Sequence, residues 1–182
     1  MPSAPRADTL AFGIFILSCI YFAGNEAQAL RWESTELNVY IEYHPKKPVV
    51  KKAFWAWQSL TKLVTFKYVD KEEQADITVK FTRETIPNSD GYHTLGVTKY
   101  FYDENGYLQK AEITLLSVRP GTNMLVNDKD AYMVALHEAG HALGLPHSRN
   151  PSDAMYFAYS GQSLVTVNDL NALRRLYGVP VK

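Results

Sequence analysis

Apolar and polar residues alternate strictly from Ala75 to Phe81 (Ala-Asp-Ile-Thr-Val-Lys-Phe), the period-two mark of a half-buried strand. Leu37 to Ile41 alternates in the same way and is closed by Pro45 and Pro48, and Pro48 suits the first turn of a helix. From Val49 to Leu63 the period changes: Val50, Phe54, Trp57, Leu60 and Val64 recur at helical spacing and predict an amphipathic helix. Thr65 to Val69 reads as a strand, and Pro87 to Gly91 as a loop. Leu95 to Tyr102 and Leu108 to Leu116 read as two more strands, joined across Asp103-Glu104-Asn105-Gly106, where Asn-Gly signals a hairpin. Asp128 or Asp130 is placed to cap a helix through Met133, Leu136, Ala139 and Leu143 towards Gly144. Thr166 to Leu170 opens a terminal helix that runs to Tyr177 and stops at Gly178 and Pro180. Strand, helix, further strands and two last helices describe an α+β domain, a mixed sheet carrying helices on one side.

The first thirty residues have another character. Arg6 sits in a short polar leader, Leu10 to Ala23 is almost wholly apolar, and Ala27-Gln28-Ala29 has the small-x-small form of a cleavage site. Residues 1–29 are therefore expected to be a secretory signal peptide and residues 30–182 one domain. An uncleaved anchor is the alternative, although about 20 apolar residues are needed to span a bilayer. Cys19, the only cysteine, follows Ile16-Leu17-Ser18 and loosely resembles a bacterial lipobox, so membrane attachment is expected only through Cys19 lipidation or an uncleaved signal. A chain cut after Ala29 keeps no thiol for a disulfide or a metal. The 19 basic and 19 acidic side chains cancel, which argues against nucleic acid as a partner. The short pairs Lys46-Lys47 and Lys51-Lys52 read as solvated loop and polar helix face.

The chemistry lies in His137-Glu138-Ala139-Gly140-His141. Positions i and i+4 share one helix face, so both imidazoles can address one metal, with Glu138 beside the first ligand but not itself ligating. Gly144 is where the helix must end and the chain turn, which swings His147 back as a third nitrogen. Three histidines leave a fourth tetrahedral position open for water, the catalytic arrangement of zinc, and neutral imidazoles favour zinc over harder or softer metals. Glu138 is then the expected general base. A buried, hydrogen-bonded histidine pair is the bland alternative; five typed positions coinciding with a helix and its glycine stop speak against it.

The run from His137 to Ser148 (HEAGHALGLPHS) resembles the elongated zinc motif of the metzincin clan. Asp153-Ala154-Met155-Tyr156 resembles the methionine turn of the matrixins, the matrix metalloproteinase family, and Ser148 points the same way. The helix around Ala53 to Trp57, the strand from Ala75 to Phe81 and the terminal Asp169 to Gly178 are similar to matrixin segments in the same order. The resemblance implies a twisted, mixed five-stranded sheet with one antiparallel edge strand, three helices and an active-site helix carrying the motif. It also implies a monomeric, secreted endopeptidase with a protein or peptide substrate and one catalytic zinc on His137, His141 and His147. In this reading Met155 lies beneath the metal, and Leu95, Gly96, Val97, Leu136 and Tyr159 contact substrate. Calcium is not legible in the residues.

Some positions depart from the family. Phe157 stands where astacin-like members have a metal-binding tyrosine and matrixins a proline. The stretch that holds a second, structural zinc in animal matrixins offers only His93, which reads as a loop histidine; His44, before Pro45, reads as structural. The cysteine with which matrixin propeptides silence the zinc has no counterpart in this reading. Two rivals remain at this stage: a catalytically silent zinc-binding interaction module, and an enzyme acting on a non-peptide amide.

Overall fold

The computed structural model describes residues 30–87, 93–158 and 164–181. The leader with Cys19, and Tyr159, lie outside them. Strand β1 (Glu36–Ile41) leads into helix α1 (Lys47–Thr61), then β2 (Thr65–Val69) and β3 (Ile77–Thr82) follow. Two short segments, β4 (Ile86–Pro87) and β5 (His93–Thr94), pair with each other before the long hairpin of β6 (Gly96–Tyr102) and β7 (Leu108–Leu116). Helices α2 (Asp128–Ala142) and α3 (Val167–Leu176) end the chain.

Five strands form one sheet in the order β2-β1-β3-β7-β6. All neighbours run parallel except β6, which pairs antiparallel with β7 at the edge. The sheet is therefore mixed, with one antiparallel edge strand, as the resemblance implied. The hairpin turns at Gly106, whose φ of 80° is the left-handed conformation that glycine adopts without a Cβ penalty.

Alternation on the strands decides which side is packed. Leu37, Val39 and Ile41 of β1 are buried, as are Ile77 and Val79 of β3 and Ala111, Ile113 and Leu115 of β7. Against that face lie α1, through Val50, Phe54 and Trp57, and α2, buried from Met133 to Ala142. α2 packs on both β6 and β7, so the motif helix lies against the antiparallel edge of the sheet. The Trp57 indole donates to the Leu136 carbonyl at 2.8 Å, and the Trp32 indole to that of Ala142 at 2.7 Å.

Two termini correct the sequence reading. α2 is capped by Asn127, whose side chain accepts the Asp130 N–H at 2.8 Å; neither Asp128 nor Asp130 is the cap. A cap residue needs extended backbone, and Asn127 has it; the two aspartates fall in the first turn, where negative charge suits the helix dipole. β3 begins at Ile77 rather than Ala75; just before it the Asp76 carboxylate accepts the Asn38 N–H at 2.6 Å while the Asp76 backbone bonds Asn38 and Ala111. His44 stacks on Phe81 at 3.8 Å and its Nδ1 accepts the Lys46 N–H, a structural role.

Candidate metal centre

α2 places His137 and His141 one turn apart, both buried. Nδ1 of His137 lies 2.7 Å from the Ala154 carbonyl, and Nδ1 of His141 lies 2.7 Å from that of Leu145. A carbonyl oxygen can only accept, so both Nδ1 atoms carry the hydrogen and both Nε2 atoms present a bare lone pair. Those two Nε2 atoms are 2.9 Å apart. Two lone pairs facing each other in a dry interior repel unless a cation sits between them. His147 completes a triangle in which the ligand atoms all lie within 4.8 Å of one another. Burial, with electrostatic repulsion from the neighbouring His147, holds His137 down to about 3, and burial holds His141 well below the usual imidazole range. Both therefore stay neutral, the form that ligates. Two neutral imidazoles, each oriented by a backbone carbonyl, with the His147 ring closing the triangle, form a donor set that fits zinc.

Glu138 has no exposed surface. Its Oε2 accepts the Thr98 hydroxyl at 2.6 Å, while Oε1 has no hydrogen-bond partner among the described residues. Burial pushes the carboxyl up to about 8, against the opposing pull of the Thr98 bond. Room for the side chain comes from Gly96: a Cβ there would stand 2.8 Å from Glu138 Cγ and 2.9 Å from Oε1. Gly96 and Thr98, two apart on β6, thus form a socket for this carboxylate.

The loop after α2 is pinned from below. Gly144 takes a φ of 96° and turns the chain. Ser148 donates its N–H to the Met155 carbonyl at 2.6 Å and its hydroxyl to Asp153 at 2.5 Å. Met155 is buried, and Gly140 makes room for it: a Cβ there would collide with Met155 and stand 2.8 Å from Trp57. Asp169 accepts the N–H groups of Ala154 (2.9 Å), Met155 (3.3 Å) and Thr166 (2.8 Å), so α3 holds the methionine turn through one buried carboxylate. That turn in turn supplies the carbonyl that orients His137.

Among the residues expected to contact substrate, Leu95, Gly96 and Val97 lie at or on the sheet-edge strand and are buried, and Leu136 is wholly inside the core. Tyr156 and the half-exposed Phe157 have ring centroids 4.6 Å apart. The sequence reading missed Thr98, Asp153 and Asp169 as supports of the site. Thr98 had a signal, since it shares a strand face with Gly96, but nothing in the strand pattern says which helix residue meets that face.

The matrixin family (peptidase family M10) matches residues 25–178. The chain is 32% identical over 145 residues to the macrophage metalloelastase of Rattus norvegicus, covering 74% of this chain and 29% of that protein. It is 31% identical over 157 residues to the interstitial collagenase of Equus caballus, with 81% and 33% covered. With matrix metalloproteinase-16 of Homo sapiens the identity is 32% over 159 residues, with 75% and 24% covered. The chain thus spans roughly a quarter to a third of the length of these relatives. The mixed sheet with its antiparallel edge, the histidine triangle and this family match agree that the chain belongs to the matrixins, a family of zinc-dependent metalloendopeptidase domains.

Proposed function

We propose that this protein is a secreted zinc endopeptidase, with His137, His141 and His147 as the ligands and Glu138 as general base. The observation that carries the reading is the pairing of two bare Nε2 lone pairs with a neighbouring carboxylate that is bonded on one oxygen and free on the other. Zinc bound there supplies Lewis-acid chemistry, polarising the scissile carbonyl and acidifying water. Glu138 takes the proton of the attacking water at its free oxygen and returns it to the leaving amine nitrogen. Thr98 holds the other oxygen throughout.

Among the described residues β6 has β7 on one side and no strand on the other, an edge along which an extended peptide could add as a further strand. The Leu95 carbonyl accepts the Leu116 N–H of β7 and the Gly96 N–H and C=O bond the Thr94 hydroxyl, so a peptide laid along Leu95, Gly96 and Val97 would displace that hydroxyl to reach the Gly96 backbone. The side chain after the cut would meet the aromatic segment following Met155, with Tyr156, Phe157 and Tyr159, and a hydrophobic residue is expected there. The apolar leader from Leu10 to Ala23 supports export.

The test is Glu138→Ala. Zinc by elemental analysis should stay at one per chain while hydrolysis of an unfolded protein falls at least ~10²-fold, the scale of a lost acid–base step. Zinc-replete wild-type protein that cleaves no unfolded protein and no member of a peptide library would instead establish the silent binding module.

A further inference from the structure

A concave feature lies away from the metal centre, between α1 and β2. It has a volume of about 310 Å³ and is lined by Lys51, Lys52, Trp55, Gln58, Phe66 and Tyr68. The helix side follows from spacing: Lys51 and Trp55 are four apart, Lys52 and Trp55 three, Trp55 and Gln58 three, so they form one ridge. Phe66 and Tyr68, two apart on β2, turn the same face towards that ridge. Trp55 is 65% exposed, whereas Trp32 and Trp57, the other two tryptophans, are buried.

The polar groups in this groove are all of one kind. The Gln58 side-chain oxygen is occupied by the Phe66 N–H at 2.8 Å, so the amide offers its NH₂. The Tyr68 hydroxyl donates to the Lys51 carbonyl at 3.4 Å, and burial pushes its pKa up to about 12, so it carries no negative charge. Lys51 Nζ lies 4.3 Å above the Tyr68 ring. No carboxylate lines the groove, and neither Lys51 nor Lys52 is in an ion pair among the described residues. The groove therefore presents donors and positive charge beside a flat aromatic face.

We propose that this groove binds an anionic polysaccharide, a sulfated or carboxylated sugar chain, with one pyranose face on Trp55 and its acidic groups on Lys51 and Lys52. A sugar ring offers an apolar C–H face and acidic substituents at its edge, which is the complement of an indole flanked by ammonium groups. A membrane surface fits less well: it needs a broad protruding apolar face. Here the exposed Leu60 sits five residues from Trp55, on the other side of the helix. The formal charge of zero is no obstacle, because the lysines act locally, within a screening length of about 8–10 Å. Such a site would tether the protein to an anionic matrix and leave the cleft free.

Heparin is the probe, with dextran, polyglutamate and vesicles containing phosphatidylserine as comparators. Trp55 is the exposed tryptophan, so occupancy reads directly in fluorescence. Heparin should shift emission to the blue and protect it from acrylamide quenching, with added salt reversing both. Trp55→Ala and the double change Lys51→Ala with Lys52→Ala should each weaken heparin binding about tenfold or more. Their thermal midpoints and wild-type hydrolysis of a short peptide should stay unchanged. Binding should persist in Glu138→Ala, so its outcome is independent of the protease reading. Unaltered Trp55 emission with heparin would overturn the proposal. So would equal binding of polyglutamate, which would reduce the site to bare charge, or stronger binding to the vesicles.

Discussion

In the proposed mechanism the Thr98 hydroxyl, 2.6 Å from Glu138 Oε2, decides which carboxylate oxygen is left to take a proton. A base that swings between two oxygens spends part of its time misaligned, and catalysis is sensitive to such misplacement. Thr98→Val keeps shape and removes the donor, leaving a buried carboxylate without its bond. Hydrogen bonds to charged groups contribute about 1.5–3 kcal/mol, so kcat is expected to fall at least about tenfold while KM changes little. Thr98→Ser should restore most of the rate, and both variants should keep their zinc. Equal kcat in wild type and Thr98→Val would show that the bond does not position the base. At this scale the sequence was legible where chemistry is local. His137, Glu138 and His141 share one helix face, and a single glycine turn returns His147. Thr98 was not legible, because its partner lies 40 residues away across a strand–helix contact that no periodicity reports.

Elements were read well where pattern and punctuation agree. β2 and β7 have the bounds that alternation predicts, and Gly106 makes the expected hairpin. What the pattern missed is how one element holds another. Thr166 and Asp169 form a capping box at the start of α3, but the Asp169 carboxylate also takes two N–H groups of the methionine turn. Helix capping is visible in sequence; a cap that doubles as a tertiary clamp is not. Asp169→Ala should therefore destabilise the fold by about 3 kcal/mol or more, because several buried donors lose their acceptor at once. Urea denaturation would measure it. Zinc affinity should fall as well, since the Ala154 carbonyl that orients His137 sits on the freed turn. An ordinary cap loss of about 1 kcal/mol with unchanged zinc affinity would refute the clamp. Gly140→Ala tests the same region from above: a Cβ there meets Met155 and Trp57, and overpacking of this kind costs about 1–3 kcal/mol. A fully stable Gly140→Ala variant would mean that Met155 can move without consequence.

For the whole molecule, the metal centre couples stability to pH from both sides. In metal-free protein His137 is held at about 3 and His141 well below 6.5, so between those values and 6.5 the unfolded chain binds protons that the folded one refuses. Stability is then lost as pH falls below about 6.5, by about 1.4 kcal/mol per pH unit for each imidazole. Glu138 acts in the opposite sense. Its folded value is raised from 4.5 to about 8, so between these the folded chain keeps a proton that the unfolded one releases, and stability falls as pH rises. Between 4.5 and 6.5 the two imidazoles outweigh the one carboxyl; from 6.5 to about 8 only the carboxyl still acts. These three groups together place the maximum of the metal-free protein near pH 6.5. Zinc requires neutral imidazoles and favours an ionised carboxylate beside it, so loading should remove the decline above pH 6.5 and steepen the acid limb as protons displace the metal. Urea denaturation of chelator-treated and zinc-loaded protein from pH 5 to 8 would test this. Glu138→Gln serves as the control: in metal-free form it should lose the decline between 6.5 and 8 and keep the acid limb. If that variant declines in this range as steeply as wild type, the alkaline limb belongs to other groups and Glu138 is not the buried carboxyl that limits the metal-free fold.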